Sequence, residues 1–122
     1  MRRVAQRHTR NLDAYQYFVR GQSALLVRRS AENETARDMF QRAIALDAAF
    51  ARAYAGLALT YCADYRNQWT QDGAASLERA VELARTALQI NPDIPETYWA
   101  LAFVHIERRQ HDQALQYRES AS

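Results

Sequence analysis

Tyr54-Ala55-Gly56-Leu57-Ala58-Leu59-Thr60-Tyr61 and Tyr98-Trp99-Ala100-Leu101-Ala102-Phe103-Val104-His105 are one phrase written twice. In each, a Tyr is followed at helical spacing by a Leu-Ala pair and then by a second ring. Residues three and four apart share one face of a helix. Each phrase therefore predicts a helix whose face is large at its ends and small in the middle. A second helix can approach such a face closely at its centre, while the large residues fill the space on either side. The partner is also written in the chain: Ala36 and Ala43, Ala80 and Ala87, and Ala114 and Ala121 are spaced alike, the last two pairs 34 residues apart. Behind the first two stand Ile44-x-Leu46-Asp47-Ala48 and Leu88-x-Ile90-Asn91-Pro92.

Extended over the whole chain, the pattern predicts an all-α fold of six helices in three pairs. Asn11 caps a first helix carrying Leu12, Tyr15, Phe18, Val19, Leu25 and Leu26. Ser30-Ala31-Glu32-Asn33 breaks the pattern with cap-forming residues, and a second helix follows, holding Ala36, Met39, Phe40, Ala43, Ile44 and Leu46. The third runs from about Phe50 to Tyr65, and Arg66 to Gly73 reads as a loop. Ser76 caps the fourth, Asn91-Pro92-Asp93 stops it, and Pro95 suits the first turn of the fifth. His111-Asp112 is read as a break, with a sixth helix from near Asp112 holding Ala114, Leu115, Tyr117 and Ala121. With only 3 Gly and 2 Pro in 122 residues, a turn-rich β architecture is disfavoured. Gly21 and Gly56 fall inside helices, where close packing explains them.

These residues resemble the tetratricopeptide repeat (TPR) family: an aromatic, a Leu-small pair and another aromatic on one helix, then Ala, a bulky residue, Ala and a terminal Pro on the next. The resemblance implies an α-hairpin solenoid, in which each hairpin leaves a face uncovered until a neighbour stacks on it. It divides the chain into a basic flexible tail at 1–11 and a TPR domain at 12–122. The repeats are about 12–49, then 50–94 with an insertion at 65–75, then 95–122. The last pair is cut short at Ser122 and Arg118 stands where a bulky apolar residue is usual, so the chain reads as a piece of a longer protein. Leu12-Asp13-Ala14-Tyr15-x₅-Gly21, Ala43-Ile44-Ala45-Leu46-Asp47 and Asp64-Tyr65-Arg66-x-x-Trp69 further resemble the TPR segment of bacterial class III adenylate/guanylate cyclase-like proteins.

That family holds partners in a concave groove lined by the first helix of each pair. Carried over position by position, the groove is Tyr15, Phe18, Gln22, Leu25 and Leu26, then Arg52, Ala55, Leu59, Cys62 and Ala63, then Glu96, Trp99, Phe103, Ile106 and Glu107. The set is apolar and aromatic, which suits an amphipathic helix or apolar peptide, or another part of the parent protein. It is unlike the basic clamp of chaperone-binding TPRs, which needs lysine where this chain has none. The resemblance thus implies a protein-protein interaction or scaffolding module, or alternatively a regulatory domain controlling a cyclase in the same polypeptide. The uncovered end of a shortened array predicts a homo-oligomer of the isolated chain.

Residue chemistry points away from catalysis. No glycine-rich phosphate loop, nucleophile elbow, HExxH or Cys/His cluster occurs, so neither cofactor nor metal is expected and no enzyme activity is assigned to the segment. His105 stands in an aromatic's place and is expected as a packed core histidine; His111 is six residues away, off its face. Cys62, the one cysteine, admits no intrachain disulfide and reads as a buried small hydrophobe. Trp69 is expected to pack back on its hairpin or to stand out as an anchor. The formal net charge is +2 and all 16 basic residues are arginine. Arg2, Arg3, Arg7, His8 and Arg10 make a basic run with no groove-reading motif behind it, so nucleic acid is not an expected partner. No apolar stretch is long enough for a bilayer, and no signal-peptide core follows the basic start, so a cytoplasmic setting is expected.

Overall fold

The computed structural model describes residues 9–121, with side chains to Ala114 and at Gln116. Arg2, Arg3, Arg7 and His8 of the basic run, and the side chains expected at Leu115, Tyr117, Arg118 and Ala121, lie outside the described residues. Five helices and no strands are present among them: α1 Leu12–Leu25, α2 Ser30–Leu46, α3 Ala51–Arg66, α4 Gly73–Ile90 and α5 Pro95–Ala121. The closest packing is within the pairs α1/α2 and α3/α4; α2 joins them through α3, and α5 lies against α3 and α4.

The expected sixth helix is not separate. Residues 95–121 run as one helix of 27 residues through the expected break at His111-Asp112. The physical reason is local. Neither residue removes a backbone donor as Pro does, and their neighbours Arg108, Arg109, Gln110 and Gln113 are good helix formers. Two starts also differ from expectation. α2 begins at Ser30, because the chain turns earlier, at Arg28, whose backbone is left-handed (φ 62). Asn33 is consequently a first-turn residue aimed into the core rather than a cap. α4 is capped by Asp72, whose carboxylate accepts from the Ala75 N–H at 3.0 Å, and Ser76 lies buried one turn on.

The two pair-to-pair connections are built alike. Asp47 and Asn91 leave their helices in extended conformation (φ −145 and −152), each with its N–H donated back to a carbonyl, of Ala43 and Ala87, at 2.9 Å. Each side chain then accepts from the backbone two residues on, Ala49 and Asp93, at 3.0 and 2.9 Å. Phe50 and Ile94 follow, both buried, and the Tyr54 and Tyr98 hydroxyls reach back to the Ala48 and Pro92 carbonyls. Before α1, Asn11 accepts from the Ala14 N–H at 2.9 Å, and Thr9 donates to the Asp47 carboxylate, so residues 9–11 of the segment read as a tail are held against α2.

The core is a ring cluster capped by alanines. Phe18 meets Phe50 at 5.0 Å and Phe40 at 5.8 Å between ring centroids. α3 is the central helix and buries residues on most of its circumference, from Ala51 and Ala53 to Thr60 and Cys62. α4 buries one stripe, Leu77, Ala80, Val81, Ala84 and Ala87, at helical spacing.

Candidate functional site

A continuous trough crosses α1, α3 and α5. Its first part, about 290 Å³, lies over Phe18, Gln22, Leu25, Arg52, Leu59 and Trp99. Its second, about 390 Å³, shares Leu25, Leu59 and Trp99 and continues over Cys62, Phe103 and Trp69. Eleven of the fifteen groove positions read from sequence therefore line one surface. Tyr15 does not: it is half-buried, 6.5 Å from the Phe18 ring, and lines neither part. Ile106 is exposed but lies beyond the trough. Ala55 is fully buried in the core, Ala63 and Glu96 line the trough, and Glu107 does not. A larger hollow of about 500 Å³ sits elsewhere, between α1 and α2, where Arg20 and Arg42 already flank the Tyr17 ring. It has no large apolar anchor to offer beyond Tyr17 and Leu46.

The trough floor is built from side chains pinned by several helices. The Arg52 guanidinium lies 4.8 Å from the centre of the Phe18 ring and 3.5 Å from the Glu96 carboxylate, so one residue links α1, α3 and α5. Phe103 is held edge-on by Tyr65 at 6.2 Å and covered by Arg66 at 4.9 Å. Trp99 stands free, 62% exposed. Cys62 is 1% exposed, and burial pushes its thiol from the ordinary 9.0 up to about 12, against a weaker opposing effect of Arg66. The position is apolar filling, not a nucleophile.

Beneath the second part is a polar network with no counterpart in the sequence reading. Asn33 donates to the Asp64 carboxylate at 2.9 Å and to the Thr60 carbonyl at 3.0 Å. Arg37 donates to Asp64 at 2.6 Å and to both Thr60 oxygens at 3.2 Å, and its guanidinium covers the Tyr61 ring at 4.2 Å. It locks α2 to the end of α3, where the Trp69 loop departs with its N–H on the Asp64 carbonyl at 2.9 Å. The rim residues Arg28, Arg66 and Asn67 also escaped the sequence reading. They sit at helix ends, and only the left-handed turn at Arg28 and the end of α3 direct them there. Trp69 is half-buried at the trough's edge. His105, expected in the core, is exposed instead, because no sixth helix folds back over its face.

Among the described residues no cluster of His, Cys, Asp or Glu could hold a metal ion, and no helix is long and apolar enough to cross a membrane. What the arrangement offers is an open apolar surface with aromatic anchors and a guanidinium rim.

The class these features define is an all-helical chain of packed α-hairpins with an apolar trough. Over 102 residues, 84% of its length, the sequence is 29% identical to "Putative adenylate cyclase 3" of Rhizobium meliloti (strain 1021). That stretch is 17% of the relative's length, so the chain resembles a fragment of it. No protein-family description matches the chain, and no solved structure matches it.

Proposed function

We propose that this chain is a TPR-type protein-protein interaction module whose trough takes an apolar peptide or amphipathic helix. The observation that carries the reading is the trough itself: Trp99 exposed at its centre, Phe103 and Leu59 beside it, and Arg52 bracing its floor. A large exposed aromatic in an apolar concavity is the usual form of a binding anchor. The repeat reading is supported by the twin connections at Asp47 and Asn91, which reproduce one stop, one side-chain turn and one tyrosine clasp at matched positions.

The test is selection of binders from a library of amphipathic helical peptides. Selected peptides are expected to carry an apolar stripe. Trp99→Ala is expected to weaken them by about 2 kcal/mol, more than tenfold, and Phe103→Ala comparably. Val19→Ala, at an exposed α1 position outside the trough, should leave them unchanged. Equal loss from Val19→Ala, or no binders at all, contradicts the reading.

A second reading has its own observation, the match to a stretch of a cyclase-named relative. In that reading the segment regulates a class III nucleotide cyclase in its own polypeptide, the trough holding another part of that protein. It requires a cyclase domain in the same open reading frame. Trp99→Ala in that full protein is then expected to change cyclase activity without removing it. An open reading frame lacking such a domain eliminates this reading and leaves the first intact.

A further inference from the structure

The trough carries its charge unevenly. Its lining advances in step along three helices, from Phe18 to Leu25 on α1, Arg52 to Arg66 on α3 and Glu96 to Phe103 on α5. On α3 the stripe spans about 21 Å at 1.5 Å per residue, the length of a helix of about four turns. At one end the Arg52 guanidinium is answered by the Glu96 carboxylate at 3.5 Å. At the other, Arg28 and Arg66 are exposed in the lining, and among the described residues neither is in an ion pair. The one acid on α3, Asp64, is buried and already taken by Arg37 at 2.6 Å and Asn33 at 2.9 Å. Glu96 is the one acid among the described residues of the lining, so three guanidinia face a single carboxylate. A cation at the end of α3 is ordinary, since it suits the helix dipole. Its direction is not explained that way: Arg66 lies over Phe103, on the trough side, at 4.9 Å. Arg28 arrives separately, through the left-handed turn after α1 (φ 62), a backbone that residues with a Cβ seldom adopt.

We propose that the trough's partner is an acidic amphipathic helix: its apolar stripe lies on Leu59, Trp99 and Phe103, and side-chain carboxylates at one end of the stripe pair with Arg28 and Arg66. This rests on the trough being the binding surface, and adds the partner's charge and where on the partner that charge lies. A guanidinium presents a planar fork that matches a carboxylate with two parallel hydrogen bonds. An arginine stacked on a ring keeps its N–H edge to offer, so the Phe103 contact and a carboxylate are compatible. Exposed pairs of this kind add modestly to affinity and strongly to the choice of partner. An unpaired base on the incoming helix would meet Arg28 and Arg66 with no acid beside them, which selects against basic helices.

Three helical-peptide libraries test this, sharing randomised apolar stripes and carrying Glu, Gln or Lys at the flanking positions. All are N-acetylated and C-amidated, so no chain end contributes. Binders are expected from the Glu library, about tenfold tighter at low salt than their own Gln versions. The gap should close near about 1 M salt, where charges are screened beyond about 3 Å. Arg28→Gln and Arg66→Gln should each narrow it by about three- to fivefold and leave the Gln versions unchanged. Arg85→Gln, exposed on α4 outside the trough, should leave it as it is. Trp99→Ala should weaken Glu and Gln versions alike. Should Arg66→Gln disturb Phe103 and weaken the Gln versions too, Arg28→Glu decides instead: it is expected to favour the Lys version over the Glu version. Glu, Gln and Lys versions of equal affinity, all weakened by Trp99→Ala, overturn the acidic partner and leave the trough intact. A gap that Arg85→Gln narrows as much as Arg28→Gln, or binding that needs a free C-terminal carboxylate, also overturns it. Binding indifferent to Trp99→Ala overturns the trough itself, and the acidic partner with it.

Discussion

The ring of Phe40 lies between the backbones of α1 and α3, and both helices present a glycine to it. A Cβ built on Gly21 or on Gly56 would stand 2.7 Å from the ring. Phe40 is fully buried, so it cannot retreat from one helix without striking the other. Gly56→Ala is therefore expected to destabilise the fold by about 1–3 kcal/mol, although Ala is the better helix former. Chemical denaturation checks this, and adding Phe40→Leu should recover part of the loss. Cys62 makes a different prediction. Its thiol is raised in the fold from 9.0 to about 12, so the folded chain holds that proton more tightly than the unfolded one. The stabilisation is fully present below pH 9 and is lost as pH rises from there to about 12. Above pH 9 the native chain should lose unfolding free energy faster than Cys62→Ala does. Below it, the thiol should react with disulfide reagents only at the rate of unfolding. The Phe40 contact was half legible in sequence, since two glycines inside helices ask for a close neighbour. Which ring fills the space depends on how the helices cross, and spacing does not carry that.

Among the helices, legibility followed range. The connections at Asp47 and Asn91 were readable because the stop, the side-chain turn and the following helix start all lie within a few residues. The His111-Asp112 break was misread because both are weak helix formers and neither forbids a helix. The Asn33–Arg37–Asp64 network joins the start of α2 to the end of α3, and residues so far apart reveal no pairing in one sequence. Arg52 is the element-scale counterpart of Phe40: it reaches the Phe18 ring on α1 and Glu96 on α5 from its place on α3. Arg52→Ala is expected to cost about 1–2 kcal/mol, since it removes a partly buried ion pair, a ring contact and the packed stem. Glu96→Gln should cost less, because the stem and the ring contact survive. Denaturation midpoints of the two variants, compared at equal slope, check the order.

At the scale of the molecule, eleven of the fifteen groove positions taken from a family resemblance fall on one trough. Spacing along α1, α3 and α5 places residues on a face, and the hairpin packing brings those faces together. Tyr15 missed because it stands in the first turn of α1, beside the Phe18 ring and short of the trough, and Ile106 because it lies on α5 past Phe103, the last α5 residue that lines it. Trp69 was beyond reach of periodicity, since a loop rather than a helix delivers it. Its arrival there gives the account its most direct measurement. The chain has 2 tryptophans, and both line the second part of the trough. Titration of the chain with a tryptophan-free amphipathic peptide selected for binding should therefore shift the tryptophan emission to shorter wavelength and saturate with the binding curve. A peptide that binds with the emission unchanged contradicts the trough as the binding site.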